Sequence, residues 1–495
     1  MSHKLHAPVI LERNQHCISR RNIDPDAVRV LYRLDSCGFT AYLVGGGVRD
    51  LLLGRAPKDF DISTDAHPNQ IRKLFRNCFL IGRRFRLAHI KFGDKVIETS
   101  TFRRIPDSNV ENGADPDEPG ALLHFRDNTF GTPEEDALRR DFTVNGLFYD
   151  ISTFRVIDYV GGLADLKARS IRCIGDPDVR FREDPVRMLR AVRFAGRLGF
   201  TIEPNTHRAI LDHHGELALS SRARLLEEIY RLFPYQASEA TFRLMHRTQL
   251  MSVLFPELSA FLAAHAVEES PLWRYLAALD AGSSLAPKPG PALMLATLYM
   301  PLFLDNVREI PTTAHFGEWF DAARSTLHEF IQHHQLPRQI SFETAWLLAV
   351  QGQLMSDEPP SRESIPAPHK RRGPQHGQRH DRLARQPLFS QALALFDFYL
   401  KATGGHPSRL EPWVAILETT PPPVPRGRES GHTSRATGGN HPQRRRPPHT
   451  RRGHPPENHH RQQHNSDNAT IPPQGKRRAF VDILRSVFRS PSRDS

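Results

Sequence analysis

Tyr42-Leu43-Val44-Gly45-Gly46-Gly47-Val48-Arg49-Asp50, with Lys58-Asp59-Phe60-Asp61-Ile62 close behind it, decides how this chain is read. The first stretch predicts a strand that runs into three glycines and then a helix beginning near Val48. Glycine lets a backbone come close to a ligand, and the N–H groups of a helix start favour anions. Arg49 would sit in that first turn, where a cation is electrostatically awkward unless an anion answers it. A tight strand–helix turn with no ligand is the plainer reading of those glycines. In the second stretch, Asp59 and Asp61 project from one face of a predicted strand while Phe60 and Ile62 point into a core. Two adjacent carboxylates repel unless something positive lies between them, and Mg²⁺ held by one or two acids plus substrate phosphates is a common answer. Two solvated acids on a strand edge would look the same. Only eight residues separate Asp50 from Asp59, so the acid pair lies beside the glycine turn, and together they point to a metal-assisted nucleotide site.

Further along, Val96-Ile97-Glu98-Thr99 predicts a neighbouring strand. Glu98 is then either an edge-strand acid or a third carboxylate that activates an attacking hydroxyl or completes a metal shell. In Glu134–Asn145, acids lead into Arg139, Arg140, Asp141, Thr143 and Asn145; Asp141 and Asn145, four apart, are expected to share a helix face. In Glu183-Asp184-Pro185-Val186-Arg187, Asp184 is predicted to cap a helix whose first residue is Pro185. Arg187, Arg190, Arg193 and Arg197 fall on one side of that helix and Met188, Ala191, Val192, Ala195 and Leu198 on the other. A solvated arginine stripe explains this most simply, yet four arginines without interleaved acids repel unless phosphates are near.

Of the 495 residues, 39% are hydrophobic and 25% charged. The net charge of +12 is concentrated: residues 421–495 carry 15 Lys+Arg against 5 Asp+Glu. A near-neutral globular body with a cationic tail excludes a uniformly basic, histone-like protein. Cys17, Cys37, Cys78 and Cys173 form no CxxC pair, which excludes a zinc ribbon or disulfide framework and suits a reducing compartment. The longest uncharged run, Pro289–Leu304, is too short for a bilayer, and Pro291 and Pro301 are expected to interrupt it. No signal-peptide core stands at the start. An intracellular, cytoplasmic protein without a transmembrane segment is expected.

The expected organisation is a flexible N-terminus (1–21), a head of small mixed sheet and helices (22–175), a helical neck (176–235) and a helical body (236–355). A linker or insertion (356–382), a last helical, RNA-binding region (383–420) and a basic disordered tail (421–495) follow. Residues 103–132 are expected to form a surface loop. Within the tail, Phe480, Ile483, Leu484, Val487 and Phe488 recur at helical spacing between basic residues, as a transient helix or a docking segment would.

GGGVRD, the Asp59/Asp61 pair, RRDFTVN and EDPVRMLRAVRF, in that order over about residues 22–235, closely resemble the polymerase-β-like nucleotidyltransferases. The match is to the branch that holds the bacterial poly(A) polymerases and the CCA-adding tRNA nucleotidyltransferases. The resemblance implies an α+β fold with a nucleotidyltransferase head, an all-α neck and body. It implies that Asp59 and Asp61 hold the catalytic metals, two Mg²⁺ ions with Mn²⁺ as a substitute. Asp141 joins them as an active-site acid. It further implies that Gly45, Gly46 and Arg49 meet the triphosphate of ATP, and that Arg139, Arg140 and Asn145 sit by the nucleotide. Asp184 and Arg187 would read the base edge, with Arg190 near the phosphates. Residues 80–92, with Arg83 and Arg84, and Asp127–Gly131 resemble the poly(A) polymerase branch. The implied activity is template-independent addition of AMP to RNA 3′ ends with pyrophosphate release, promoting RNA turnover. RNA-degradation or RNA-chaperone proteins are the implied partners. Arg444, Arg445, Arg446, Arg451 and Arg452 suit sequence-independent contact with RNA phosphates. CCA addition to tRNA is the alternative within the family, and a catalytically degenerate RNA-binding protein is the alternative outside it.

Overall fold

One sheet of eight strands organises the first third of the chain, in the order β1-β8-β7-β2-β3-β6-β5-β4. Its strands are β1 (Val9–Leu11), β2 (Ala41–Val44), β3 (Asp61–Thr64), β4 (Cys78–Ile81), β5 (Leu87–Phe92), β6 (Lys95–Thr101), β7 (Leu147–Asp150) and β8 (Arg155–Asp158). The computed structural model describes residues 7–82, 86–104, 130–312, 314–356 and 383–419. Only the β3–β6 pair is parallel, so the sheet is mixed as expected, though larger than a small one.

Register brings the site together. Val44 stands opposite both Asp61 and Phe148, and Ile62 stands opposite Thr99. The end of β2, the start of β3 and Glu98 of β6 therefore meet at one end of the sheet. Beneath it lies α1 (Pro25–Ser36), where Asp24 accepts the Asp26 N–H at 2.8 Å and Pro25 stands in the first turn. Ala27, Val30, Leu31 and Leu34 of α1 are fully buried, the i, i+3, i+4, i+7 pattern of a helix with one core face.

The N-terminus departs from expectation. Val9–Leu11 pairs with β8, and Ile18 and Ile23 are buried, so residues 9–22 belong to the head and are not a flexible lead-in. Between Arg103 and Thr132 the expected loop lies almost wholly outside the described residues, as do the 357–382 part of the linker and everything from 420 on.

From residue 177 onward helices dominate, starting with α2 (Pro177–Glu183), α3 (Val186–Leu198), α4 (Pro204–His213) and α5 (Arg222–Tyr230). The exception is a two-residue parallel pairing of Thr201–Ile202 with Ser170–Ile171. The helix Pro291–Asn306 runs straight through Pro301, contrary to the expected interruption. Proline inside a helix costs about 3 kcal/mol, but Leu293, Leu295, Leu298, Tyr299, Met300 and Phe303 are all buried and that burial outweighs it. The last helical stretch is two helices, Phe389–Thr403 and Glu411–Thr419, broken at Gly404 with φ +71°. Among the described residues no helix is long and apolar enough to cross a membrane, and all four cysteines are unpaired.

Candidate active site

Gly45 ends β2 with φ +70° and ψ −134°, a conformation essentially reserved for glycine. A Cβ there would lie 3.0 Å from Arg140 Nη1, and one on Gly47 would lie 3.4 Å from the Asp59 carbonyl. The bare backbone is thus what lets the helix Gly46–Leu52 press against the segment carrying the acid pair. That helix starts at Gly46, two residues before the expected position.

Asp61 opens β3, whereas Asp59 and Phe60 precede the strand; the two acids flank a strand entry and do not share a regular strand. Glu98 stands beside Asp61 on the adjoining β6. Burial pushes the Asp61 carboxyl up to about 7; Glu98 and Asp59 add to the rise, while Arg140 opposes it. Asp61 nonetheless keeps an exposed side toward solvent. Burial and Asp59 likewise raise Glu98. Three carboxylates with too little positive charge between them are hard oxygen donors suited to a divalent cation. Their donor chemistry suits one, but among the described residues no group of three or more His, Cys, Asp or Glu side chains is gathered closely enough to hold a metal ion.

Asp141 has a different setting. Its Oδ1 accepts from the Phe142 N–H at 2.8 Å and Asn145 Nδ2 at 3.1 Å; its Oδ2 accepts from Arg190 Nε at 2.8 Å and lies 2.6 Å from Arg190 Nη2. Although burial opposes it, Arg190 with the Asn145 and Phe142 donors holds this carboxyl at about 2. Asp141 is therefore an organising anion filled by protein donors. Its contact with Asn145 does not come from a shared helix face, because Thr143–Asn145 is a single 3-10 turn.

Arg49 is 1% exposed. Its Nε and Nη2 donate to Asp50 Oδ1 at 2.8 and 2.7 Å, and its Nη1 to Asn145 Oδ1 at 2.5 Å. The structure thus places Arg49 behind the glycine turn, tying it to the Asp141 segment, and not in the cleft. Arg140 donates to Asp136 Oδ2 and reaches Ser63 Oγ at 3.4 Å, while Arg139 Nε donates to Asp136 Oδ1 at 3.0 Å.

Asp184 does not cap α3. The helix begins at Val186, no side chain caps it, and Asp184 Oδ2 instead accepts from Arg224 Nη2 at 2.8 Å. Asp184 Oδ1 is buried without a hydrogen-bond partner among the described residues, an expensive condition that a ligand donor would relieve. Arg187, three residues on, donates from Nη1 to the Arg180 carbonyl at 2.9 Å and to Glu183 at 3.1 Å.

The arginine stripe of α3 is resolved by acids from four separate places. Arg187 pairs with Glu183, Arg190 with Asp141, Arg193 with Glu228 of α5 at 2.6 Å, and Arg197 with Asp50 at 2.9 Å. The helix ties the Asp50 and Asp141 segments to α5, and its charges need no phosphates.

Sequence reasoning missed Asp50, Asp136, Arg180, Arg224 and Glu228 as organisers. Asp136 was within reach, since it stands three and four residues before Arg139 and Arg140, the spacing of helical ion pairs. Arg180, whose Nη2 donates to the carbonyls of Arg139 and Arg140 at 2.7 and 2.8 Å, left no local signal. Arg83, Arg84, Arg444, Arg445, Arg446, Arg451 and Arg452 lie outside the described residues, as does the 480–488 segment.

Residues 41–172 match the Poly A polymerase head domain, and residues 199–262 match the family described as "Probable RNA and SrmB- binding site of polymerase A". Poly(A) polymerase I of Escherichia coli O6:H1 is 44% identical over 305 residues, 61% of this chain and 65% of that protein, so the alignment spans just under two thirds of that relative. Poly(A) polymerase I of Salmonella typhi is 36% identical over 428 residues, 84% of this chain and 87% of the relative. Among solved structures, the CCA-adding enzyme of Bacillus stearothermophilus in complex with CTP is 25% identical with a TM-score of 0.53, covering 80% of this chain and 82% of that one. With residues 41–172 matching the family's head domain and likeness along most of the Salmonella protein, this chain belongs to the poly(A) polymerase and tRNA nucleotidyltransferase family.

Proposed function

We propose that this protein transfers AMP from ATP to the 3′-hydroxyl of RNA without a template and releases pyrophosphate, a step that promotes RNA turnover. The observation that carries the reading is that Asp59, Asp61 and Glu98 lie near one another at a sheet end beside a glycine turn whose bare backbone has the Arg140 and Arg49 guanidinium groups against it. Family membership and the poly(A) polymerase relatives support it.

Asp59 and Asp61 would hold Mg²⁺, two ions in all or Mn²⁺ in their place, with Glu98 as the third carboxylate. Divalent cations at such a site supply charge neutralisation at the attacking and leaving oxygens. In the proposed reaction the RNA 3′-oxygen bonds to the α-phosphorus as the bond to the β-phosphate bridging oxygen breaks. Glu98 takes the hydroxyl proton. Gly45 and Gly46 leave the backbone bare where the triphosphate passes. The unpaired Asp184 Oδ1 accepts from the amino edge of the base, and Arg187 lies on the same side. Asp141 and Asn145, with Arg49, Arg139, Arg140 and Arg190, hold these parts in place; the arginine-rich tail and Arg83–Arg84 hold RNA by its phosphates. RNA-degradation or RNA-chaperone proteins are the proposed partners.

CCA addition is the second reading, favoured by the likeness to a CCA-adding enzyme. Incubation with a generic RNA and with tRNA lacking its 3′ end, each nucleotide supplied singly with Mg²⁺, separates the two. Long A-only tails on both RNAs are expected. Growth that stops after C, C and A on the tRNA alone would replace the reading with the second. An Asp59→Ala protein that binds RNA unchanged but transfers nothing excludes a purely binding role.

A further inference from the structure

Three of the large exposed apolar residues lie on one sheet face, the face that carries Asp61. Register fixes this. Phe79 of β4 stands opposite His89 of β5, which stands opposite Glu98 of β6, and Glu98 adjoins Asp61. Residues opposite each other across strands share a face, so these four form a row from the edge of the sheet to the acids. His89 Nε2 lies 3.7 Å from Glu98 Oε1. Phe79 is 60% exposed, and Ile81, two residues on and so on the same face, is 51% exposed. Val96 (38%) joins them through its pairing with Lys91. The opposite face of the same strands carries Cys78, Ile90 and Ile97, all buried.

Large apolar side chains left open on an edge strand are an aggregation liability that proteins normally avoid. Here they continue the acid cleft. An open sheet face with an exposed aromatic ring is also how proteins stack unpaired RNA bases, and such stacking tolerates any sequence.

On the reading proposed above, we infer that the Phe79–His89–Glu98 row is the track for the last nucleotides of single-stranded RNA, with a base stacked on Phe79 against Ile81. Three strand spacings of about 4.8 Å put Phe79 about 14 Å from Asp61. With stacked nucleotides rising about 3.4 Å each, Phe79 meets roughly the fourth base from the 3′ end. A dinucleotide primer ends short of it, whereas a hexanucleotide covers it.

The test compares full-length wild-type protein with Phe79→Ala and Phe79→Tyr, using dinucleotide and hexanucleotide oligo(A) primers at saturating ATP. Phe79→Ala is expected to raise KM for the hexamer about tenfold and to leave kcat, KM for ATP and KM for the dimer unchanged, and Phe79→Tyr to restore the hexamer value. An unchanged hexamer KM, as a protein-docking edge would give, overturns the inference; so does an equal loss for both primers. Hexamer affinity by fluorescence anisotropy is read in the same samples. If the wild type transfers no nucleotide, the polymerase reading falls, while a tenfold anisotropy loss in Phe79→Ala still upholds the track and an unchanged affinity overturns it.

Discussion

Replacing Asp141 with Asn tests the tie between its segment and α3. The carboxyl drops from its ordinary 3.8 to about 2 in the fold, and its side chain is only 11% exposed. At 1.36 kcal/mol per pH unit this is about 2–3 kcal/mol of stability at neutral pH. Because the folded value is depressed, that contribution is complete above the unfolded carboxyl range and is lost as pH falls toward 2, with about half remaining at pH 3. Asn cannot neutralise Arg190, so removing the charge strands a guanidinium that makes two contacts to Oδ2; breaking such a pair costs about 3–5 kcal/mol where burial is deep. The expected loss for Asp141→Asn at pH 7 is about 3 kcal/mol, and the gap to wild type should narrow by about half at pH 3. Urea unfolding followed by far-ultraviolet circular dichroism measures it. Tryptophan fluorescence would not serve, since Trp273, Trp319, Trp346 and Trp413 all lie beyond the head. A loss below about 1 kcal/mol, or a gap that is the same at pH 7 and pH 3, refutes the reasoning.

Because burial and neighbouring acids raise Asp61 toward 7, a divalent cation must displace a proton below that pH. Mn²⁺ affinity by calorimetry should weaken about fivefold from pH 7 to pH 6 and depend little on pH above 8; Asp61→Asn should bind weakly at both and transfer AMP at least a thousandfold more slowly. Arg224→Ala releases the hydrogen bond that Arg224 Nη2 donates to the Asp184 carboxylate. Its discrimination between ATP and CTP, measured as a ratio of kcat/KM, should fall about tenfold while the melting temperature shifts little. Gly45→Ala combines a strained φ of +70° with a Cβ 3.0 Å from Arg140 and should cost about 1–3 kcal/mol in urea titrations, with transfer slowed in parallel.

How much of this was legible in the sequence depends on range. The glycine turn and the helix of Val186–Leu198 are written in neighbouring residues, because backbone freedom and helical period act over a few positions, whereas the strand alternation expected to align Asp59 with Asp61 failed because β3 starts only at Asp61. Asp61 and Glu98, 37 residues apart, could be suspected of meeting, since each sat in a strand-like run with no local reason for an acid. The capping role expected of Asp184 failed because Arg224, 40 residues away, binds its carboxylate. The helix face expected for Asp141 and Asn145 failed because the chain there turns tightly to enter β7.

What the sequence by itself determined is a mixed strand-and-helix region followed by a helical body, and the family. Tertiary structure alone decided which charges meet. The arginines of α3 looked repulsive because local spacing supplies no acids, yet the fold brings Asp50, Asp141, Glu183 and Glu228 to them. It also aligned Phe79, His89 and Glu98 in one row. Electrostatic pairing and strand register act through space between segments whose separation along the chain encodes neither their distance nor their facing.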